Sequence, residues 1–219
     1  MVADDELQKS QSGKGADLAH CSPRQPAVIL ANGLHCGNSP VKAPDWINIG
    51  NPELISKRAS HPVPQAPGGV LNDYIPFYFT PFSPMLHNIR TGWGGIQKRT
   101  NEDVVILVSS LHHVAGQGLP FLFTDSHAYY RWANFYSDLA DLTNIDWPLL
   151  QRRDFRRDPD DPAKFERYQA EALIYQILPV SGLLGMVCYT EALKILIAQE
   201  VQARNLNLPV HARPEWYFG

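Results

Sequence analysis

Two residues in this chain have the type and the surroundings to do chemistry, and they stand far apart. Glu171 lies in QAEALIY, with apolar residues on both sides. A lone carboxylate in a segment that otherwise reads as core is costly to bury unless it is paired. Carboxylates so placed are often tuned for acid–base work. The plainer alternative is a glutamate on the exposed face of a half-buried strand. Arg58 ends a short helical segment just before a proline-rich loop. An arginine there can grip a phosphate or carboxylate with two parallel hydrogen bonds, or simply complement a helix dipole.

The eight histidines form no HxxxH or HExxH pattern, so a zinc site is not expected and no metal is assigned. His20, beside Cys21 and Ser22, and His127, in FTDSHA, are candidate catalytic or ligand-holding imidazoles. An isolated turn histidine can equally be a satisfied hydrogen-bonding group. Ser22 has no visible His/Asp partners, so a hydrolase triad is not supported. Neither GxGxxG nor the P-loop pattern occurs, so any nucleotide binds outside a Rossmann crevice.

The segment QRRDFRRDPDDPAKFER (151–167) concentrates positive charge. Arg152, Arg153, Arg156 and Arg157 can hold phosphates while Phe155 offers a ring for an unpaired base. Asp154, Asp158, Asp160 and Asp161 interrupt it, so a self-neutralised surface loop is the competing reading. Tyr129, Tyr130, Arg131 and Trp132 make a second aromatic–basic cluster.

The elements that must position these residues follow from pattern. The aromatic run between prolines in DYIPFYFTPFSPML (73–86) predicts a short buried strand, then a helix capped by Ser83 with Pro84 in its first turn. PAVILANGL (26–34) predicts a helix stopped by Gly33. Residues 51–60 predict another, with Asn51 as cap, Pro52 first, and a basic end at Lys57 and Arg58. Residues 62–74 carry turn signals throughout and predict a loop. DVVILVSS (103–110) is the clearest strand, and 120–124, 170–177 and 183–189 predict others. Residues 129–141 and 191–204 have helical spacing, and 148–164 reads as a charged connection.

Composition sets the frame. At 219 residues the chain suits one domain with a substantial core. Residues 1–16 are expected to be a disordered tail and 17–219 the domain. Strands scattered among short helices give an α+β class. A net charge of −3 excludes a bulk polycation, so nucleic-acid contact must be local. The three cysteines, with no CxxC pairing, favour a reducing compartment. No signal-peptide core or apolar run of roughly 20 residues is present. The expected location is cytoplasmic, with no membrane partner.

The string DYIPFYFTPFSPML closely resembles the DarT family of DNA ADP-ribosyltransferase toxins, part of toxin–antitoxin systems. Further blocks match in order: VPQAPGG, DVVILVSSL, FTDSHAYYRWANFYSDL, ERYQAEALIY and the terminal WYF. The resemblance implies an ADP-ribosyltransferase fold of two packed mixed or antiparallel sheets with peripheral helices. It implies NAD as co-substrate and single-stranded DNA as acceptor. It places the catalytic glutamate at Glu171 and the essential arginine at Arg58. The expected NAD contacts are His20, Ser22, Asn51, Arg58, Phe77 and Tyr78, and the expected DNA contacts are Arg152, Arg153, Phe155, Arg156, Arg157 and Tyr130. Family members usually carry an aromatic residue where this chain has Ala19. Phe82 stands where many thymidine-modifying members have arginine, which points to the branch that modifies guanine. A cognate antitoxin that reverses the mark is implied as a partner. The rival functions are the same reaction on thymidine, on RNA or on protein, and a non-enzymatic single-strand binder.

Overall fold

The computed structural model describes residues 17–21, 25–41 and 49–219, with only the backbone of 17–20. The tail expected over 1–16 lies outside the described residues.

Ten strands are present among the described residues: β1 (Asp17–Cys21), β2 (Leu34–His35), β3 (Tyr74–Tyr78), β4 (Val105–Ser109), β5 (Phe121–Thr124), β6 (Phe135–Tyr136), β7 (Glu171–Tyr175), β8 (Ile177–Leu178), β9 (Gly185–Cys188) and β10 (Val210–Ala212). The helices are α1 (Pro26–Asn32), α2 (Pro52–Arg58), α3 (Pro84–Thr91), α4 (Leu111–Gly116), α5 (Trp147–Gln151), α6 (Lys164–Arg167) and α7 (Glu191–Ala203). Eight strands run in the order β10-β9-β4-β1-β3-β7-β5-β6, and β2 pairs with β8. Among the described strands only the β9–β10 pair is parallel.

The long sheet divides in the middle. β1 and β3 meet at one residue pair, Leu18 opposite Tyr78. Strand side chains alternate between faces, and that alternation sorts the two halves. Val105 and Leu107 of one half and Ile75, Phe77 and Ile174 of the other share one core. Their neighbours Ile106 and Val108 enter a second cluster, while Tyr74 and Leu173 enter a third. The fold is therefore α+β, with two four-stranded halves packed through their inner faces. α7 packs on β10 and α1, adding Ile197 and Val201 to the shared core.

Local signals place the ends of these elements. Asn51 Oδ1 accepts from Glu53 N at 2.9 Å and Leu54 N at 3.2 Å, starting α2. Gly33 ends α1 at φ +77°, where a Cβ would meet the Leu178 carbonyl oxygen at 2.7 Å. Fully buried Ser83 starts α3, its Oγ accepting from Leu86 N at 3.1 Å.

Two expected elements differ. Residues 129–141 are not helical but turn, pair as β6 and close in a 3-10 helix at Leu139–Asn144. The reason is Asp125, whose carboxylate accepts from Asn134 N at 3.1 Å and Asn134 Nδ2 at 2.7 Å, folding the segment back on itself. The charged connection holds most of α5 and runs into the start of α6, each one turn long or little more.

Replacing Ser83 by alanine removes the α3 cap. It should lower stability by about 1 kcal/mol, read as a lower urea midpoint with an unchanged slope.

Candidate active site

Glu171 is the first residue of β7, opposite Tyr78, the last of β3. Because β7 alternates, Ala172 and Ile174 face the shared core while Glu171 faces the other way. Its side chain is nevertheless only 2% exposed. It is neither on an exposed face nor alone.

Three groups meet the carboxylate. Arg58 Nη1, from the last turn of α2, donates to Oε2 at 3.0 Å. Ala128 N donates to Oε1 at 3.2 Å. His127 Nδ1 lies 3.1 Å from the same oxygen. Burial alone would raise the Glu171 pKa, but the Arg58 guanidinium, His127 and the Ala128 N–H outweigh it and hold the carboxyl below its ordinary range. Burial pushes His127 down, against the pull of Glu171 and with the push of Arg58. The imidazole is therefore neutral at pH 7. It carries one proton, so Nδ1 either donates to Glu171 or accepts from Tyr129 N at 3.2 Å.

The turn after β5 is built to present these donors. Thr124 Oγ1 donates to the Ser126 carbonyl at 2.7 Å and accepts from Glu171 N at 3.3 Å. The Asp125 clasp then holds the turn from outside. Burial, reinforced by the negative charge of Glu171, pushes the Tyr78 phenol pKa up, so it stays protonated.

Two features mark a place for a ligand. Arg58 is 7% exposed, and its buried Nη2 has no hydrogen-bond partner among the described residues. Such an orphan donor fits a phosphate or carbonyl oxygen. Oε2 of Glu171 accepts one bond from Arg58, which leaves a lone pair for an incoming hydroxyl. Among the described residues no cluster of three metal-ligating side chains occurs.

The sequence candidates separate in space. Arg58, Tyr78 and Glu171 come together. Phe77 does not: it is fully buried in the shared core, on the opposite face of β3 from Tyr78, and cannot touch a ligand beside Glu171. Asn51 spends its Oδ1 on capping α2. Ser22 lies outside the described residues, and of His20 only the backbone is described, paired with Ile106. Phe155 turns inward, its ring 5.3 Å from Tyr168, 5.5 Å from His87 and 6.1 Å from Phe218. It anchors the charged loop and does not present an open face. Arg156 is bound by Asp154 at 2.8 Å, Arg153 lies 3.9 Å over Phe82, and Arg157 lies 5.0 Å over Phe165. Arg152 is exposed. Tyr130 stands 5.6 Å from His127. His127 itself was only one of several histidine candidates in the sequence; the signal was its position just after the buried strand FLFT.

These geometries set two expectations. Both Glu171 and His127 are depressed in the folded state, so unfolding takes up protons and acid destabilises the fold. The His127 share is complete above about pH 6.5 and is lost as pH falls through its lower folded value; the Glu171 share goes below about pH 4.3. His127→Asn should remove the upper limb, seen by comparing urea midpoints at neutral and mildly acidic pH. Separately, Arg58→Met leaves a buried carboxylate uncompensated and should cost about 3–5 kcal/mol. Adding Glu171→Leu should recover most of that loss in chemical denaturation.

Comparison with known proteins agrees with this geometry. The profile of the family described as "ssDNA thymidine ADP-ribosyltransferase, DarT" matches residues 25–218. A protein of Escherichia coli O127:H6 described as a DNA ADP-ribosyl transferase is 65% identical over 190 residues, covering 87% of each chain. The structure of Thermus sp. 2.9 DarT in complex with ADP-ribosylated ssDNA superposes with a TM-score of 0.85 at 29% identity, covering 94% of this chain and 97% of that one. The same protein in complex with NAD+ gives a TM-score of 0.79 at 30% identity, covering 94% and 98%. With its family profile matched across nearly the whole domain and its Arg58–Glu171 pair assembled, this chain belongs to the DarT family.

Proposed function

We propose that this DNA ADP-ribosyltransferase takes ADP-ribose from NAD and attaches it to guanine in single-stranded DNA, releasing nicotinamide. The observation that carries the reaction class is the buried Glu171 carboxylate, held ionised by Arg58 and His127 beside an orphan guanidinium nitrogen. As the nicotinamide–ribose C–N bond breaks, positive charge develops on the ribose, and the fixed carboxylate stabilises it. The base nitrogen then bonds to the ribose carbon and loses a proton, for which Glu171 is the acceptor. Arg58 Nη2 holds an oxygen of NAD or of the base, and Tyr78 closes the site from β3. His20 and Ser22 complete the NAD contacts, and Asn51 supports them through α2. Arg152, Arg153, Arg156, Arg157 and Tyr130 are assigned to the DNA strand, with Phe155 anchoring the loop that carries the arginines. A single-stranded acceptor is reasonable because pairing hides the base edge that must react.

The guanine assignment rests on Phe82. Its ring carries the Arg153 guanidinium at 3.9 Å, an arrangement that an arginine at this position would break by like-charge repulsion. Thymidine is the second reading, favoured by the family's own description. As a toxin, the protein would act in the cytoplasm beside an antitoxin that removes the mark; three unpaired, buried cysteines suit a reducing compartment.

The test incubates the protein and NAD with short single-stranded oligonucleotides, each lacking one base, and reads intact mass. An adduct that disappears only without guanine is the expected result. An adduct that requires thymine overturns the base assignment, and no adduct on any strand overturns the acceptor. Glu171→Gln should slow adduct formation by a factor of about 100 or more.

A further inference from the structure

We infer that Trp132 is a stacking platform for a base flanking the modified one, with Tyr130 fixing its orientation; this rests on the reading of single-stranded DNA as acceptor. Trp132 is 61% exposed, unusual for so large an apolar ring. It is not loose. Its ring lies parallel to that of Tyr130, 4.9 Å between centroids and 7° between planes. Its indole Nε1 donates to Glu166 Oε2 at 2.8 Å, which ties it to α6. Tyr130 in turn meets His127 edge-on at 5.6 Å, and His127 meets Glu171. A line of rings thus leads from the reacting carboxylate to an open indole. The Asp125 clasp on Asn134 closes the turn that carries all of them.

An indole already stacked on one face and pinned at its edge has lost little freedom still to lose on binding. Its remaining face can take any base, because every base has a π-face. Arg131, between the two rings in sequence, is exposed and has no ion-pair partner among the described residues. Its charge helps lower the His61 pKa, after burial and Arg58. It can meet the phosphate beside a stacked base. The charged loop offers no such ring, since Phe155 is packed inward and Phe165 lies under Arg157.

The test separates this claim from the reaction it rests on. Trp132→Ala should raise KM for the oligonucleotide about ten-fold or more, and Trp132→Phe should restore most of the loss. Removing one base at a time around the target should raise KM at one flanking position in the wild-type protein and have no added effect there in Trp132→Ala. A Trp132→Ala variant that melts like wild type and keeps its KM overturns the inference, as does an abasic penalty equal in both proteins. If no strand is modified at all, the anisotropy of a labelled oligonucleotide still decides it. Binding weakened by Trp132→Ala supports the platform, and equal binding removes it.

Discussion

The buried pair of Arg58 and Glu171 is the contact on which the rest of the site depends. It joins the end of α2 to the start of β7, residues separated by 113 positions in the chain. A carboxylate at 2% exposure is tolerable only if its charge is answered, and a guanidinium at 7% exposure needs the same. Each therefore requires the other to be in place. That requirement reaches outward. α2 must begin where Asn51 caps it, and β7 must keep the register that sets Glu171 against Tyr78. The turn after β5 must close so that Ala128 N and His127 reach the second oxygen.

Buried pairs of this kind are weak sources of stability, because desolvation cancels most of the attraction. Its persistence here is better explained by chemistry. The pair leaves Arg58 Nη2 without a partner and Glu171 Oε2 with room for one more donor. An apolar replacement would pack as well and offer neither. Elsewhere the charges mostly cancel: Arg167 is held by Asp146 and Asp161, and Lys164 by Asp154. With a net charge of −3, attraction for a polyanion has to come from a few free cations near the site.

What could be read in advance follows from the range of the forces involved. Caps and stops act over a few residues, so Asn51, Ser83 and Gly33 were legible, as were the strands of β3, β4 and β5. Glu171 was legible as a candidate but not as a buried one, because its partner comes from a distant helix. The phase of β3 was not legible either. Phe77, Tyr78 and Phe79 are three aromatics in a row, and only pairing with β7 decides that Phe77 enters the core while Tyr78 faces the site. The helical spacing of 129–141 misled because one carboxylate, Asp125, folds that stretch back. Phe155 misled for a related reason: a ring in a charged loop reads as open until the pocket of His87, Tyr168 and Phe218 is seen.

The site is divided between a part fixed in the sheet and parts carried on loops. Glu171 sits in the sheet, and Arg58 and His127 are held to it within 3.1 Å. That part has little freedom to vary without leaving a buried charge unanswered. The segments proposed to meet the DNA are anchored at only a few points. Asp125 and Glu166 hold the turn with Tyr130 and Trp132, and Phe155 and Phe82 hold the arginine loop. A change at one anchor re-aims a loop while the carboxylate stays in place. Phe82 is such an anchor: its ring carries Arg153, and its carbonyl accepts from the Tyr168 hydroxyl at 3.1 Å, three residues before Glu171. An arginine there would remove the ring that holds Arg153 and set a second cation beside it. Under the proposed link between Phe82 and base choice, one substitution re-aims the arginine loop while the Arg58–Glu171 pair stays as it is.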